Sequence, residues 1–443
     1  MHLPDLKLCK LRQLQFLRTG VALGASWALG MGALAFAPAA QADPADELPL
    51  LEIVTAAGDQ DDPAAVFNQR GRRFLVVYDD NSDDQVKGRF VTPDPPFQSG
   101  EVVLGPIFTI SENPGDEVDE PALAVSKRGT FLVVWEQFDE DLDADVLAVA
   151  LLNQNGAALE GPFIVPVECD ADSPNVAYNE DDDEWLVVWQ QDPFPGDDCQ
   201  DAAGIKGVIV SGDAAQVGAV FDISEAGVDA FDPDVAYDTR NGEFLVVYVF
   251  SEDINEVFGQ RVATDGALLG DPIEIAADTD IGNDDPVVVF DQTRRQSLVV
   301  WRHGSDDGDD RIEARFVPAG GGEPLGDRFF VSNAAGEPGG DPALEFRSNR
   351  YLAIWDTSTF DDPPTSDMFG QSVSRDGDLI GGNFALANEA DLFEDAPADV
   401  HLNLACANNQ VCLALWLQIP PDDEGFPDDG ESDIAGRLLF QQP

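Results

Sequence analysis

The chain has 443 residues, 85 acidic against 24 basic, and a formal net charge of −61. That charge argues against nucleic acid or an anionic membrane surface as a partner, because like charges repel over the whole body. Only a few of the basic residues are lysine, and an acid-rich, lysine-poor surface suits high salt, where screening limits self-repulsion.

The chain opens on a leader pattern. Lys7, Lys10, Arg12 and Arg18 precede an apolar stretch from Val21 to Phe36, and Ala40-Gln41-Ala42 is a small-residue cleavage site. Residues 1–42 therefore predict a signal peptide and residues 43–443 a single exported domain, periplasmic or extracellular. The apolar stretch is short for a membrane span, and no later segment qualifies.

An orphan strand is predicted at residues 50–54 (Leu50-Leu51-Glu52-Ile53-Val54). After it, one phrase recurs seven times: an apolar run ending in a large aromatic. The runs are Phe74 to Tyr78, Phe131 to Trp135, Trp185 to Trp189, Phe244 to Tyr248, Ser297 to Trp301, Tyr351 to Trp355 and Val411 to Trp416. Their final aromatics are 53 to 61 residues apart, a period that signals a repeat architecture.

The fourth repeat shows the unit. Pro233 opens a short β-rich run to Tyr237, and Gly242 marks a turn before Glu243 to Tyr248. Val257 to Val262 follows, Asp265-Gly266 makes a hairpin turn, and Pro272 to Ile275 closes the unit. Four such strands, A to D, repeated seven times, predict an all-β, seven-bladed β-propeller. The last repeat supplies A, B and C only, so the strand at residues 50–54 is expected to complete it and shut the ring.

The cysteines after the leader number four. Cys406 and Cys412 face each other across a short turn between strands A and B, and Cys169 and Cys199 flank the third A–B pair. Two disulfides, 406–412 and 169–199, are expected in an oxidising compartment.

In a four-stranded blade the D–A and B–C loops share one face of the disc, and these loops hold most of the acids. The A–B loops, on the other face, hold Arg70, Arg72, Arg73, Lys127, Arg128, Arg240, Arg294, Arg295, Arg347 and Arg350. Calcium is the cation such a face would take, because Ca²⁺ prefers several oxygen ligands from flexible loops.

Four sets of candidate residues follow. Asp139, Asp141, Asp143 and Asp145 alternate along one B–C loop, and Asp306, Asp307, Asp309 and Asp310 surround a glycine in another; each set is a candidate calcium site. Asp62, Glu120, Asp232, Asp285 and Asp341 precede the proline that opens strand A and are expected to circle the channel mouth, either as turn formers or as cation ligands. Glu345 and His401 read as a polar pair on neighbouring inner strands, a weak candidate for acid–base chemistry.

The phrases Asp232-Pro-Asp-Val-Ala-Tyr237, Phe244-Leu-Val-Val-Tyr248, Phe258-Gly-Gln-Arg-Val262 and Asp265-Gly-Ala-Leu-Leu-Gly270 resemble those of secreted bacterial β-propeller repeat proteins of unassigned function. The resemblance implies the fold and no activity. The sequence supports a non-enzymatic binding or scaffold module with a protein or glycan partner at its acidic face or rim. The alternatives are an extracellular carbohydrate-active hydrolase or lyase, and a structural component of a cell-surface assembly.

Overall fold

The computed structural model describes residues 50–55, 58–94, 102–111, 117–139, 144–167, 169–192, 204–225, 229–251, 254–277, 282–304, 310–332, 340–359, 365–387, 401–407, 411–418 and 432–440. They lie within the unit Ala42–Pro443. Among them are seven four-stranded antiparallel sheets, each a blade. Blades one to six run consecutively from Gln60 to Ala387.

Blade seven is composite. Its strands A (Asn403–Ala407), B (Val411–Gln418) and C (Asp433–Phe440) are joined at the outer edge by the N-terminal strand Leu51–Val54. Leu51 pairs with Gly436, Glu52 with Ala435 and Val54 with Ile434. Gly436 is required here, since a Cβ on it would lie 2.8 Å from the Ala414 carbonyl and 3.2 Å from Ile53 Cγ1. The expected closure by residues 50–54 is the one observed. It removes the open ladder edge that a linear array would expose.

The repeated phrase becomes strand B. Its residues are buried on both pleat faces because each blade packs against a neighbour on either side, so the run reads as continuously apolar rather than alternating. Trp135, Trp189, Trp301, Trp416 and Tyr78 are each 0% exposed. They fill the spaces between blades and are not surface platforms. Strand D forms the rim; in blade one (Val102–Thr109) Val103 is 63% exposed.

The inner strands carry links from blade to blade. Oδ1 of Asn403 accepts from Ala65 N at 3.0 Å, carrying blade seven onto blade one. The Asp234 carboxylate accepts from Asn175 Nδ2 at 2.9 Å in the preceding blade and from Val288 N at 2.6 Å in the following one. Glu345 Oε1 accepts from Cys406 N at 3.3 Å.

Cys406 and Cys412 are directly paired on adjacent strands and disulfide-bonded, as expected from the sequence. Cys169 is disulfide-bonded too; Cys199 lies outside the described residues. A cross-strand disulfide fits an oxidising compartment. No helix among the described residues is long and apolar enough to cross a membrane.

Candidate functional site

Five of the inner strands enter the disc through the same device. Proline has no N–H to give to the ladder, and the ladder slips in register around it in five blades: between Asp61 and Ala64, Asp119 and Ala122, Asp172 and Asn175, Phe231 and Asp234, and Asp284 and Val287. The residue before each proline is left-handed: Asp62 (φ 43°), Glu120 (46°), Ser173 (48°), Asp232 (50°) and Asp285 (53°). Non-glycine residues hold this conformation at a cost of about 1–2 kcal/mol, which aspartate tolerates better than most.

The bulge turns these side chains toward one another at the end of the channel. Glu120 is hydrogen-bonded to Ser173, and Asp285 to Asp341. Asp232 feels Asp341, Asp284 and Asp172, which come from three other blades. Burial first, and then these like charges, push the carboxyls of Glu120 and Asp232 up to about 7. Asp285 is pushed well above the usual carboxylate range by burial and by Asp341.

His401 stands in this ring. The sequence placed it beside Glu345 on the inner strands, and that register is corrected. Asn403 pairs with Leu415 as Ala64 pairs with Val77, so His401 matches Asp62, not Val66. It is left-handed like its counterparts (φ 34°). Its Nδ1 contacts Asp62 Oδ1 and lies 3.4 Å from Asp61 Oδ1. Burial lowers its basicity while Asp61 raises it, with a net lowering. Glu345 keeps the Val66 register but meets the Cys406 backbone instead, so the nominated acid–base pair does not form. The register is hidden in the sequence because blade seven has Leu402 where the other blades have proline.

A second tier lies beside the ring, one strand further out, at the residue following the strand-B aromatic. That column reads Asp79, Glu136, Gln190, Val249, Arg302, Asp356 and Leu417 around the disc. Asp79 is 0% exposed, and among the described residues no other residue hydrogen-bonds its carboxylate oxygens. Oxygens of Asp62, Asp79 and Asp119 lie within 4.8 Å of one another, as do those of Glu120, Glu136 and Asp172. In blade five the same place holds Arg302, whose Nε is 2.9 Å from Asp285 and whose NH2 nitrogen is 3.6 Å from Asp284.

The loop candidates are described only in part. Asp139 ends strand B of blade two and pairs with Ala144. Asp145 N donates to Asp170 Oδ1 at 3.0 Å, and burial with Asp170 and Asp172 pushes the Asp145 carboxyl up to about 6. Asp141, Asp143, Asp306, Asp307 and Asp309 lie outside the described residues. Asp310 immediately precedes strand C of blade five (Arg311–Pro318).

The opposite end of the channel differs in charge and shape. The far ends of inner strands one to four surround a recess of about 350 Å³ lined by Asn68, Arg70, Lys127, Tyr178, Glu180 and Tyr237, among others. Lys127 pairs with Glu180 at 2.8 Å. The Tyr178 hydroxyl donates to Asp183 and the Tyr237 hydroxyl to Asp181.

No protein-family profile and no curated protein matches the sequence. Solved structures share the fold at low identity. A lectin from Burkholderia pseudomallei is 12% identical with a TM-score of 0.54, over 87% of this chain and 100% of the lectin. An ulvan lyase, a polysaccharide lyase, is 10% identical with a TM-score of 0.52, over 89% of this chain and 96% of the lyase. A protein of unknown function from Dyadobacter fermentans is 10% identical with a TM-score of 0.50, over 89% and 97%. Likeness at this level is likeness of fold.

Proposed function

We propose that the chain is an exported, non-enzymatic carbohydrate-binding propeller. The observation that carries this reading is the recess of about 350 Å³ at the sign-mixed end of the channel. It is of ligand size, concave, and lined by tyrosine rings with a few converging polar groups, the composition small-molecule sites favour. Arg70 and Lys127 offer donors and Glu180 an acceptor, which suits sugar hydroxyls. The glycan would thus enter opposite the acidic mouth rather than upon it. The lectin with the same fold lends support as a precedent, not as an assignment.

Glycan-array screening followed by calorimetry tests the reading. The paired substitutions Arg70→Ala and Lys127→Ala are expected to weaken a captured glycan by about 10-fold or more, the loss of roughly 1.4 kcal/mol of polar contact. Failure to retain any glycan, or an affinity indifferent to both substitutions, would sink it.

A further inference from the structure

The seam between blades one and two concentrates carboxylates. Asp79 lies in the buried part of strand B and pairs directly with Asp61, so two carboxylates face each other across the ladder. Like charges in that relation oppose one another. Asp62 reaches in from the left-handed bulge of the same blade, and Asp119 from the matching segment of the next.

Burying an ionised carboxylate without a partner costs several kcal/mol, so a fold that keeps one there normally supplies a counter-charge. His401 contacts Asp62 and approaches Asp61, while among the described residues no other residue hydrogen-bonds either oxygen of Asp79. Lys87, on the neighbouring strand, is held by Asp80 at 2.7 Å and Asp83 at 2.8 Å.

The repeat itself shows what the position accommodates. Four blades further round, the residue in register with Asp79 is Arg302, and its guanidinium lies against Asp284 and Asp285. Blade five therefore places a cation of its own beside the two acids of its bulge. Blade one has the same two bulge acids, Asp61 and Asp62, but offers a third carboxylate where the cation would be.

From this geometry we infer that the seam between blades one and two is a divalent-cation site, with Asp62, Asp79 and Asp119 as ligands. Three carboxylates from two blades form a hard, all-oxygen donor set of the kind calcium takes, with water or backbone carbonyls completing the shell. Asp119 is exposed and gives the ion its route from solvent. The ion would tie blade one to blade two next to the closing blade. Glu120, Glu136 and Asp172 repeat the constellation one seam on, but without a buried carboxylate lacking hydrogen bonds, and they are not part of the assignment. The inference is independent of the glycan reading, since the recess lies at the other end of the channel.

Thermal melts of the chelator-stripped protein, with and without millimolar CaCl₂ at ionic strength fixed by NaCl, are the test. The wild type is expected to melt several degrees higher with calcium, because an ion bound only by the folded state stabilises it by mass action. Asp79→Asn is expected to melt higher than wild type in chelator, being relieved of a buried charge, and to lose the calcium shift. Calorimetry should show its calcium affinity reduced by about 10-fold or more. Should Asp79→Asn not fold, Asp119→Asn at the solvent edge carries the same comparison. A wild type indifferent to calcium overturns the inference, and so does a shift that survives in the variant.

Discussion

Asp79 and Arg302 occupy one structural position, the residue after the strand-B aromatic, in blades one and five, one an acid and the other a base. Asp79 pairs across the ladder with Asp61, and Arg302 with Asp284. One seam holds its neutralising charge covalently; the other concentrates acid. The contrast separates acids that decorate a surface from acids buried where like charges converge.

Removing the internal cation should therefore cost stability. Arg302→Met keeps the side-chain bulk and leaves Asp284 and Asp285 facing each other unneutralised. The expected loss is about 1–3 kcal/mol by denaturant titration, below that of a fully buried pair because the Arg302 side chain is 35% exposed. Adding Asp285→Asn should restore part of the loss, since one of the orphaned charges goes with it. A variant as stable as wild type would mean that solvent already screens this pair.

The closing strand should matter out of proportion to its length. Ile53 is 0% exposed within the core shared by blades one and seven. Ile53→Ala removes buried methyl groups and leaves a cavity in a seam that cannot easily collapse, for an expected loss of about 2–4 kcal/mol. Val103→Ala on the exposed rim should stay within about 0.5 kcal/mol of wild type. Equal effects at the two positions would contradict the closure.

Glu345 predicts a pH dependence of definite sign. Burial pushes its carboxyl up to about 7 from an ordinary value of 4.5. The folded state then holds a proton that the unfolded chain releases first. Its contribution to stability is complete below pH 4.5, declines between pH 4.5 and 7, and is gone above about 7. Glu345→Gln keeps an acceptor for Cys406 N and cannot ionise. It should be the more stable protein at pH 8, by on the order of 1–3 kcal/mol at about 1.4 kcal/mol per pKa unit. The difference between the two should shrink as pH falls toward 5. A gap independent of pH would place the Glu345 titration in the ordinary range.

The fold was legible because the strand-B phrase is buried on both faces in every blade, so each copy must be apolar throughout and ends in a ring that fills a seam. Leu51 to Val54 could be matched to the last blade because strand patterns are short but the count of four per blade is strict. The cross-strand disulfide followed from the six-residue spacing of Cys406 and Cys412 on consecutive strands. The mouth was legible only as a list of acids before prolines. Nothing in the letters Asp-Pro announces a left-handed bulge: Asp62-Pro63 makes one, whereas Pro342 after Asp341 joins its ladder without a register shift. His401 was misplaced for the same reason, since its blade reaches the bulge without proline. Asp79 is not marked by any motif, because burial of a carboxylate beside a neighbouring blade is a tertiary fact. Its alignment with Arg302 was available in the repeat and was the missed signal.

An anomalous difference map from crystals grown with a lanthanide or Mn²⁺ in place of calcium tests the cation seam most directly. The account predicts a peak coordinated by Asp62, Asp79 and Asp119, and none beside Arg302, where the chain supplies its own positive charge. Density no stronger than water at the Asp79 seam, with metal found only on the outer acidic loops, would contradict it.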